Sequence, residues 1–258
     1  LSSTQLDIKF SEFVSKVTAE NIANYSVNNG IGTPSSALRD ATDSALAHLT
    51  FATPFPNGVT DTIIIGGVKD LIGNTMLTTL KTFLYFVPQT AAFRDVVINE
   101  VFPDPDPTIA LPVVEFIEVY NQSNKVFDLN GWKLSDGTSI SSLTGYVLFP
   151  GAFIILCPAA SVALYSPFGP TMGLASWPAL NNDGDNLTLK SSSGLLVDTL
   201  SYSDTWYNNT VKKAGGWTLE QKNPKHPCSG EGNWTASNDT AGGTPGKTSQ
   251  TGTGGSTS

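Results

Sequence analysis

Short runs of β-branched and aromatic residues, cut at close intervals by Gly, Asn, Asp and Pro, constrain this chain more than any other feature. Between Asp95 and Ser203 lie "DVVINEVF", "PVVEFIEVYN", "GWKLSD", "GAFIILCP", "DNLTLKS" and "LLVDTLSYS". Each run has strand length, and residues of this type favour a pleated, half-buried surface. The separators "NNDGDN" and "SSSG" consist of residues that tolerate positive φ, and both read as hairpin turns. Strands at this spacing, joined by polar turns, predict a sandwich.

An earlier stretch repeats the pattern. In "QLDIKF", Leu6, Ile8 and Phe10 alternate with Gln5, Asp7 and Lys9 and give one buried face. "AHLTFA", "DTIIIGGV" and "KTFLYFV" follow, parted by the turn clusters "VNNGIGTPSS" and "PFPNG". One segment, "SKVTAENIANY", suits a helical turn with Thr18 as its N-cap. "VPQTAAFRD" reads as a short linker, with Pro88 ending the strand before it. The expected organisation is all-β, two sandwiches in series, closed by the flexible composition of "TSQTGTGGSTS".

Only 14% of the residues are charged, against about 25% in ordinary soluble domains. Ser, Thr, Asn, Gly and Pro fill the gap, as in many extracellular β proteins. The net charge of −8 disfavours nucleic acid, whose phosphates a surface of this sign repels. No stretch approaches the ~20 apolar residues of a membrane span. The opening "LSSTQLDIKF" lacks the basic and apolar regions of a signal peptide, which fits a processed or excised segment as well as a cytosolic chain.

The run "VVEFIEVYNQSNKVFDLNGWKLSDG" holds four acids, Glu115, Glu118, Asp128 and Asp136. On a strand, Glu115 shares a face with Ile117 and Val119, while Glu118 shares the other with Phe116 and Tyr120. The two glutamates then point opposite ways and do not form a local acid/base pair. A metal reading attaches to "NEVFPDPDP", where Glu100, Asp104 and Asp106 offer oxygens of the kind calcium takes; a solvated acidic loop is the competing account. In "KDLIGN", Asp70 and Asn74 are accounted for by an Asx turn.

Other chemistry is thinly represented. Cys157 and Cys228 are the only cysteines and His48 and His226 the only histidines, so a Cys/His zinc site is not expected. A Cys157–Cys228 disulfide and a pair of free thiols both remain open. No GxSxG, GxGxxG or Walker loop is present, and no catalytic residues or cofactor other than calcium are expected. Trp206, Tyr207, Tyr202 and Trp177 form either a sugar-stacking platform or the rings that seal a small core.

The second half resembles the lamin tail domain, an immunoglobulin-like module of nuclear lamins and of many bacterial secreted proteins. The resemblance rests on "VVINEVFPDPDP", "EFIEVYNQSNKVFDLNGWKLSDG", "LFPGAFIIL", "LNNDGDNLTLKSSSGLLVDTLSY", "GGWTLEQKNP", "NWTASN" and "GGTPGK", in that order. It covers residues 94–247 and leaves 248–258 as a linker or tail. Residues 1–88 resemble a bacterial Ig-like module of the surface-layer type through "IKFSEFVSKVTAENIANYSV" and "GGVKDLIGNTM". Such modules carry a strand upstream of "QLDIKF", and here almost nothing precedes Leu1, so this resemblance implies a missing strand or another cover for that edge.

Together the resemblances imply two immunoglobulin-like β-sandwich domains in tandem, and neither family is enzymatic. They imply a structural or adhesive accessory segment of a larger bacterial protein, secreted or on the outer cell surface. Its partners would be other domains of the same chain and surface protein or polysaccharide, with no membrane insertion. A carbohydrate- or protein-binding module is the alternative. In the family, Glu115, Glu118 and Asn121 resemble strand and turn determinants, not chemistry. Asp followed by Ser or Thr and an aliphatic residue, at Ser44, Thr62, Thr199 and Thr240, is similar to an O-glycosylation signal of some Gram-negative bacteria. Chance triplets in a Ser/Thr-rich chain are the competing account, and Asn24-Tyr-Ser and Asn233-Trp-Thr are N-linked sequons of undetermined use.

Overall fold

The computed structural model describes residues 2–225 and 227–249, apart from the side chains of residues 227–229. The chain divides into two units, Leu1–Val87 and Pro88–Ser258. Among the described residues no helix is long and apolar enough to cross a membrane.

In the first unit the alternating run at the start forms β1 (Gln5–Lys9), and a single helical turn, α1 (Lys16–Ala19), follows. Strands β2 (Tyr25–Val27), β3 (Ser36–Arg39), β4 (Leu46–Thr50), β5 (Val59–Ile65) and β6 (Thr79–Tyr85) complete it. They make two antiparallel sheets, β1-β4-β3 and β2-β5-β6. Leu6, Tyr25, Val27, Leu49, Ile63 and Ile65 pack between the sheets with Phe51 and Phe55. β1 and β6 each lie at a sheet edge.

The cap of α1 differs from expectation. Ser15 is the N-cap, and Thr18 lies inside the turn, where its hydroxyl donates to Ser15 O at 3.2 Å and accepts the Lys69 N–H at 3.0 Å. A threonine mid-turn satisfies its hydroxyl on the preceding turn, so residue type alone does not fix the cap. The "KDLIGN" turn is of Asx type: Asp70 Oδ1 accepts from Ile72 N at 2.9 Å and Asn74 N at 2.8 Å.

The second unit runs β7 (Val96–Phe102), β8 (Phe116–Asn121), β9 (Phe127–Asp128), β10 (Lys133–Ser135), β11 (Ile140–Ser142), β12 (Val147–Leu148) and β13 (Phe153–Pro158). After α2 (Val162–Tyr165) come β14 (Thr171–Leu174), β15 (Gly184–Lys190), β16 (Leu196–Ser203), β17 (Leu219–Gln221) and β18 (Trp234–Ala236). A six-stranded sheet, β14-β13-β8-β7-β17-β18, faces a four-stranded one, β11-β10-β15-β16, and β12 pairs with β9. Ile98, Ile117, Val119, Ile154, Leu156 and Leu219 from the first meet Leu134, Leu187, Leu189 and Val197 from the second. Ala91 joins this core, so residues expected to be linker already belong to the unit.

On the outer face of the six-stranded sheet, Phe102, Phe116, Ile155 and Cys157 form a second apolar cluster with Leu111 and Tyr165. "SSSG" turns β15 back onto β16 as a hairpin. "NNDGDN" does not make a hairpin: it carries the chain from β14 in one sheet to β15 in the other. Both turns are built from small turn-forming residues, and only long-range pairing tells them apart.

Candidate functional site

The strand reading of "VVEFIEVYN" places Glu118 on the outer face of the central strand β8. Its cross-strand partner on β7 is Glu100, and the partner of Glu100 on β17 is Glu220. Three glutamates therefore stand side by side on three adjacent strands, and all three are fully buried. A β-bulge between Ile98 and Glu100 sets this register and turns Asn99 to the same face, where its amide donates to Glu118 Oε1 at 2.9 Å.

What buries the row is the segment Gly242–Ser249. The Thr244 N–H donates to Glu100 Oε1 at 2.9 Å and the Thr244 hydroxyl to Glu220 Oε1 at 3.0 Å. The Gly246 N–H donates to Glu118 Oε2, and the Ser249 hydroxyl to Glu220 Oε2. Gly243 has no room for a side chain: a Cβ there would lie 2.6 Å from Thr218 Cγ2 and 2.7 Å from Glu100 Oε1. The "GGTPGK" sequence thus supplies a close approach and two backbone donors in a few residues.

Burial and neighbouring charge set the protonation of the row. The Glu100 carboxyl is held well above its ordinary range by desolvation and by Glu118 and Glu220 beside it, with the Thr218 hydroxyl and Thr244 N–H pulling the other way. Desolvation pushes Glu118 up to about 8, against the hydrogen bonds from Gly246 and Asn99. Burial therefore favours the protonated form of Glu118, whose side chain has no exposed surface.

The other acids of the run go elsewhere. Glu115 accepts from the Trp177 indole and from Leu180 N, on the opposite side of the strand from Glu118, as the alternation predicts. Asp128 accepts from Asn130 N at 2.9 Å and Asp136 from Thr138 N at 2.8 Å, both closing turns. Asn121 donates to Lys125 O at 2.8 Å and Leu148 O at 3.1 Å, a turn determinant.

The calcium set is not assembled. Glu100 is committed to the row, while Asp104 and Asp106 lie in the loop after β7, where Asp104 O accepts from Gly216 N at 2.8 Å. Among the described residues no group of three His, Cys, Asp or Glu side chains is placed to hold a metal ion. The aromatic platform is also divided. Tyr202 and Tyr207 are core residues whose hydroxyls donate to Asn181 O at 2.7 Å and Trp217 O at 2.9 Å. Trp177 is tied to Glu115, and Trp206 tilts against Trp234 with ring centroids 6.1 Å apart. Tyr202 and Tyr207 serve the sandwich, because a buried phenol finds one polar partner and otherwise packs, while Trp177 and Trp206 are half-buried.

Cys157 is a free, buried thiol on β13, and burial pushes it up to about 11; the Cys228 side chain lies outside the described residues, as does His226. His48 has both ring nitrogens engaged, Nδ1 with Asp7 at 2.7 Å and Nε2 with Asp40 at 3.1 Å. With both nitrogens facing carboxylates, neither is free to act as a general base. Thr199 and Thr240 are exposed, whereas Ser44 and Thr62 are half-buried. Asn233 is buried and donates to Asn223 O at 2.8 Å.

Sequence reasoning missed Glu220 and the covering role of residues 242–249. The only signal was "GGTPGK" itself, a glycine-rich run between two polar stretches.

No curated protein matches the chain. Among solved structures it is similar to the N-terminal part of the bacterial S-layer protein SbsC, at 16% identity and a TM-score of 0.33, over 79% of this chain and 42% of that one. The chain therefore spans less than half the length of that S-layer structure. It is also similar to a DUF4876 family protein from Bacteroides thetaiotaomicron, at 12% identity and a TM-score of 0.25, over 72% of this chain and 66% of the other. The family finding is more direct and covers β7 to β16 with Glu100 and Glu118, stopping short of Glu220 and the covering segment: residues 89–204 match the family model described as Lamin Tail Domain.

Proposed function

We propose that the chain is a non-catalytic structural or adhesive accessory segment of a larger secreted or surface-exposed bacterial protein. The observation that carries this reading is where the polar chemistry is placed. The row of three buried carboxylates is sealed beneath Gly242–Ser249, and both nitrogens of His48 are engaged. Residues that would do chemistry hold the fold together instead. In this reading the first unit is an Ig-like module of the surface-layer type and the second a lamin tail sandwich. Its partners are other domains of the same chain and surface protein or polysaccharide, at the outer cell surface or beyond it.

The test is made on the native source. Antibodies against the folded chain should label intact cells or culture medium, and peptides should run past both Leu1 and Ser258. Hydrolytic turnover by the purified chain, lost in Glu118→Gln, would replace this reading with an enzymatic one. O-linked sugar belongs to the same proposal: of the four Asp-Ser/Thr triplets, Thr199 and Thr240 have the exposure it needs. Unmodified native peptides at both would remove it.

A second reading, binding of carbohydrate or protein, is favoured by one observation. Trp206 and Trp234 flank a cleft of about 360 Å³ rimmed by Asn208, Lys222, Glu231 and Thr235. Indole faces with a polar rim suit a sugar ring. Binding to a polysaccharide that disappears in Trp206→Ala would favour this reading, and equal binding by wild type and variant would exclude the cleft.

A further inference from the structure

The geometry points to residues 243–249 as a releasable strap, latched by hydrogen bonds on the row of Glu100, Glu118 and Glu220 and opened as Glu100 and Glu118 gain charge. This goes beyond a passive structural role and gives the second unit a conformational device of its own.

The strap is attached in an unusual way. Its start is held by backbone bonds, Thr218 N to Gly242 O at 2.8 Å and Gly242 N to Asp239 O at 3.0 Å. From Gly243 onward it makes no strand ladder with the sheet. Among the described residues, hydrogen bonds from Thr244 N, the Thr244 hydroxyl, Gly246 N and the Ser249 hydroxyl tie it to the sheet, and each of these ends on one of the three glutamates. The attachment and the buried charge are therefore the same object.

Among the described residues no salt bridge reaches any of the three carboxyls. The surrounding titratable and charged groups do not neutralise them. Tyr165 lies toward Glu100 with Cys157 beside it in the outer cluster, both with burial holding them in the neutral form. Lys212 is the cation felt at Glu220, but its ammonium sits 4.5 Å from the centre of the Trp217 ring and donates to Ser237 O and Asn238. Lys222, just after β17, donates to Gly232 O at 3.0 Å, and Lys247 on the strap is exposed.

Closing the strap therefore takes carboxyl groups out of water without a counter-charge, which favours their protonated forms. Opening returns water to the row and lets it ionise. The closed state binds more protons, so raising the pH shifts the balance toward the open state by mass action. The raised positions of Glu100 and Glu118 agree with this direction. Opening would uncover the acidic row together with the flank of Leu111 and Phe168, against which Gly243 and Gly246 now pack.

Hydrogen exchange on the whole chain tests the strap. With intrinsic base catalysis corrected, protection of the Thr244 and Gly246 amides should fall at least about tenfold between pH 6 and pH 9. The amides of β8 should keep theirs. In Glu100→Gln/Glu118→Gln, which cannot ionise at those positions, the strap should stay protected across the range. Unchanged strap protection in the wild type, or loss in step with β8, would overturn the proposal. Should the double variant not fold, tryptic cleavage after Lys247 in the wild type serves instead: faster relative to a peptide standard at pH 9 than at pH 7 supports the strap, and equal relative rates overturn it.

Discussion

The Thr244 N–H meets the Glu100 carboxylate at 2.9 Å across 144 positions of sequence. This contact fastens the end of the second unit onto its central sheet, and it does so through a backbone donor and a buried acid instead of a strand pair. The outer face of that sheet is consequently half apolar, at Phe102 and Phe116, and half carboxylate, at Glu100 and Glu118. The glutamates fasten the segment to the sheet through these hydrogen bonds.

Gly243→Ala should loosen that fastening. The new methyl would sit 2.6 Å from Thr218 Cγ2, 2.7 Å from Glu100 Oε1 and 2.8 Å from Leu111 Cδ1, all inside van der Waals contact. Overpacking of this kind costs about 1–3 kcal/mol. Gly232→Ala, with nothing within 4 Å of the new methyl, is the control and should change stability by less than about 0.5 kcal/mol. Urea unfolding followed by tryptophan emission measures both.

His48 should titrate above the ordinary histidine value of 6.5. The hydrogen bond to Asp7 is the larger cause and that to Asp40 the next. Since the folded value is the raised one, the first unit gains stability below the unfolded value, and this gain is lost as pH rises through the folded value. Following the imidazole carbons by NMR should show the upward shift, with Asp7→Asn returning the ring toward 6.5. No change in the variant would show that the Asp7 contact does not persist in solution.

Cys157 should resist alkylation in the folded chain. It is fully buried among Phe102, Phe116 and Tyr165, and burial raises the thiol to about 11, leaving little thiolate at pH 8. Iodoacetamide should leave Cys157 unlabelled under native conditions and label it after urea unfolding, as read by peptide mass. Labelling of Cys157 in the native chain would contradict the packing of the outer cluster.

Strand content was legible in the sequence because the residues that form strands are also the ones the core needs. Leu6 and Ile8 alternate with polar neighbours, and "VVEFIEVY" told correctly that Glu115 and Glu118 part company. Pairing was not legible. "NNDGDN" and "SSSG" share their turn chemistry, yet one joins two sheets and the other closes a hairpin. The carboxylate row was hidden for the same reason. Glu100, Glu118 and Glu220 become neighbours only through the order β8-β7-β17 and a bulge at Asn99. Tyr202 and Tyr207 looked available for stacking because composition does not say which ring faces inward.

The most direct test of this account is the pH dependence of the second unit's stability, since the row of glutamates is claimed to be buried and short of charge. All five tryptophans lie in that unit, so their emission during urea unfolding reports it alone. Glu118 rises from 4.5 to about 8, Glu100 moves the same way, and Asp198 rises from 3.8 to about 6, each chiefly through burial. The folded unit then binds more protons than the unfolded chain between these limits, and its stability falls as pH rises through them. The unfolding free energy should be lower at pH 8 than at pH 5, by roughly 2–4 kcal/mol. Glu100→Gln/Glu118→Gln should flatten most of that slope. A unit more stable at pH 8 than at pH 5 would contradict the account, because its glutamates would then be ionised and stabilised in the fold.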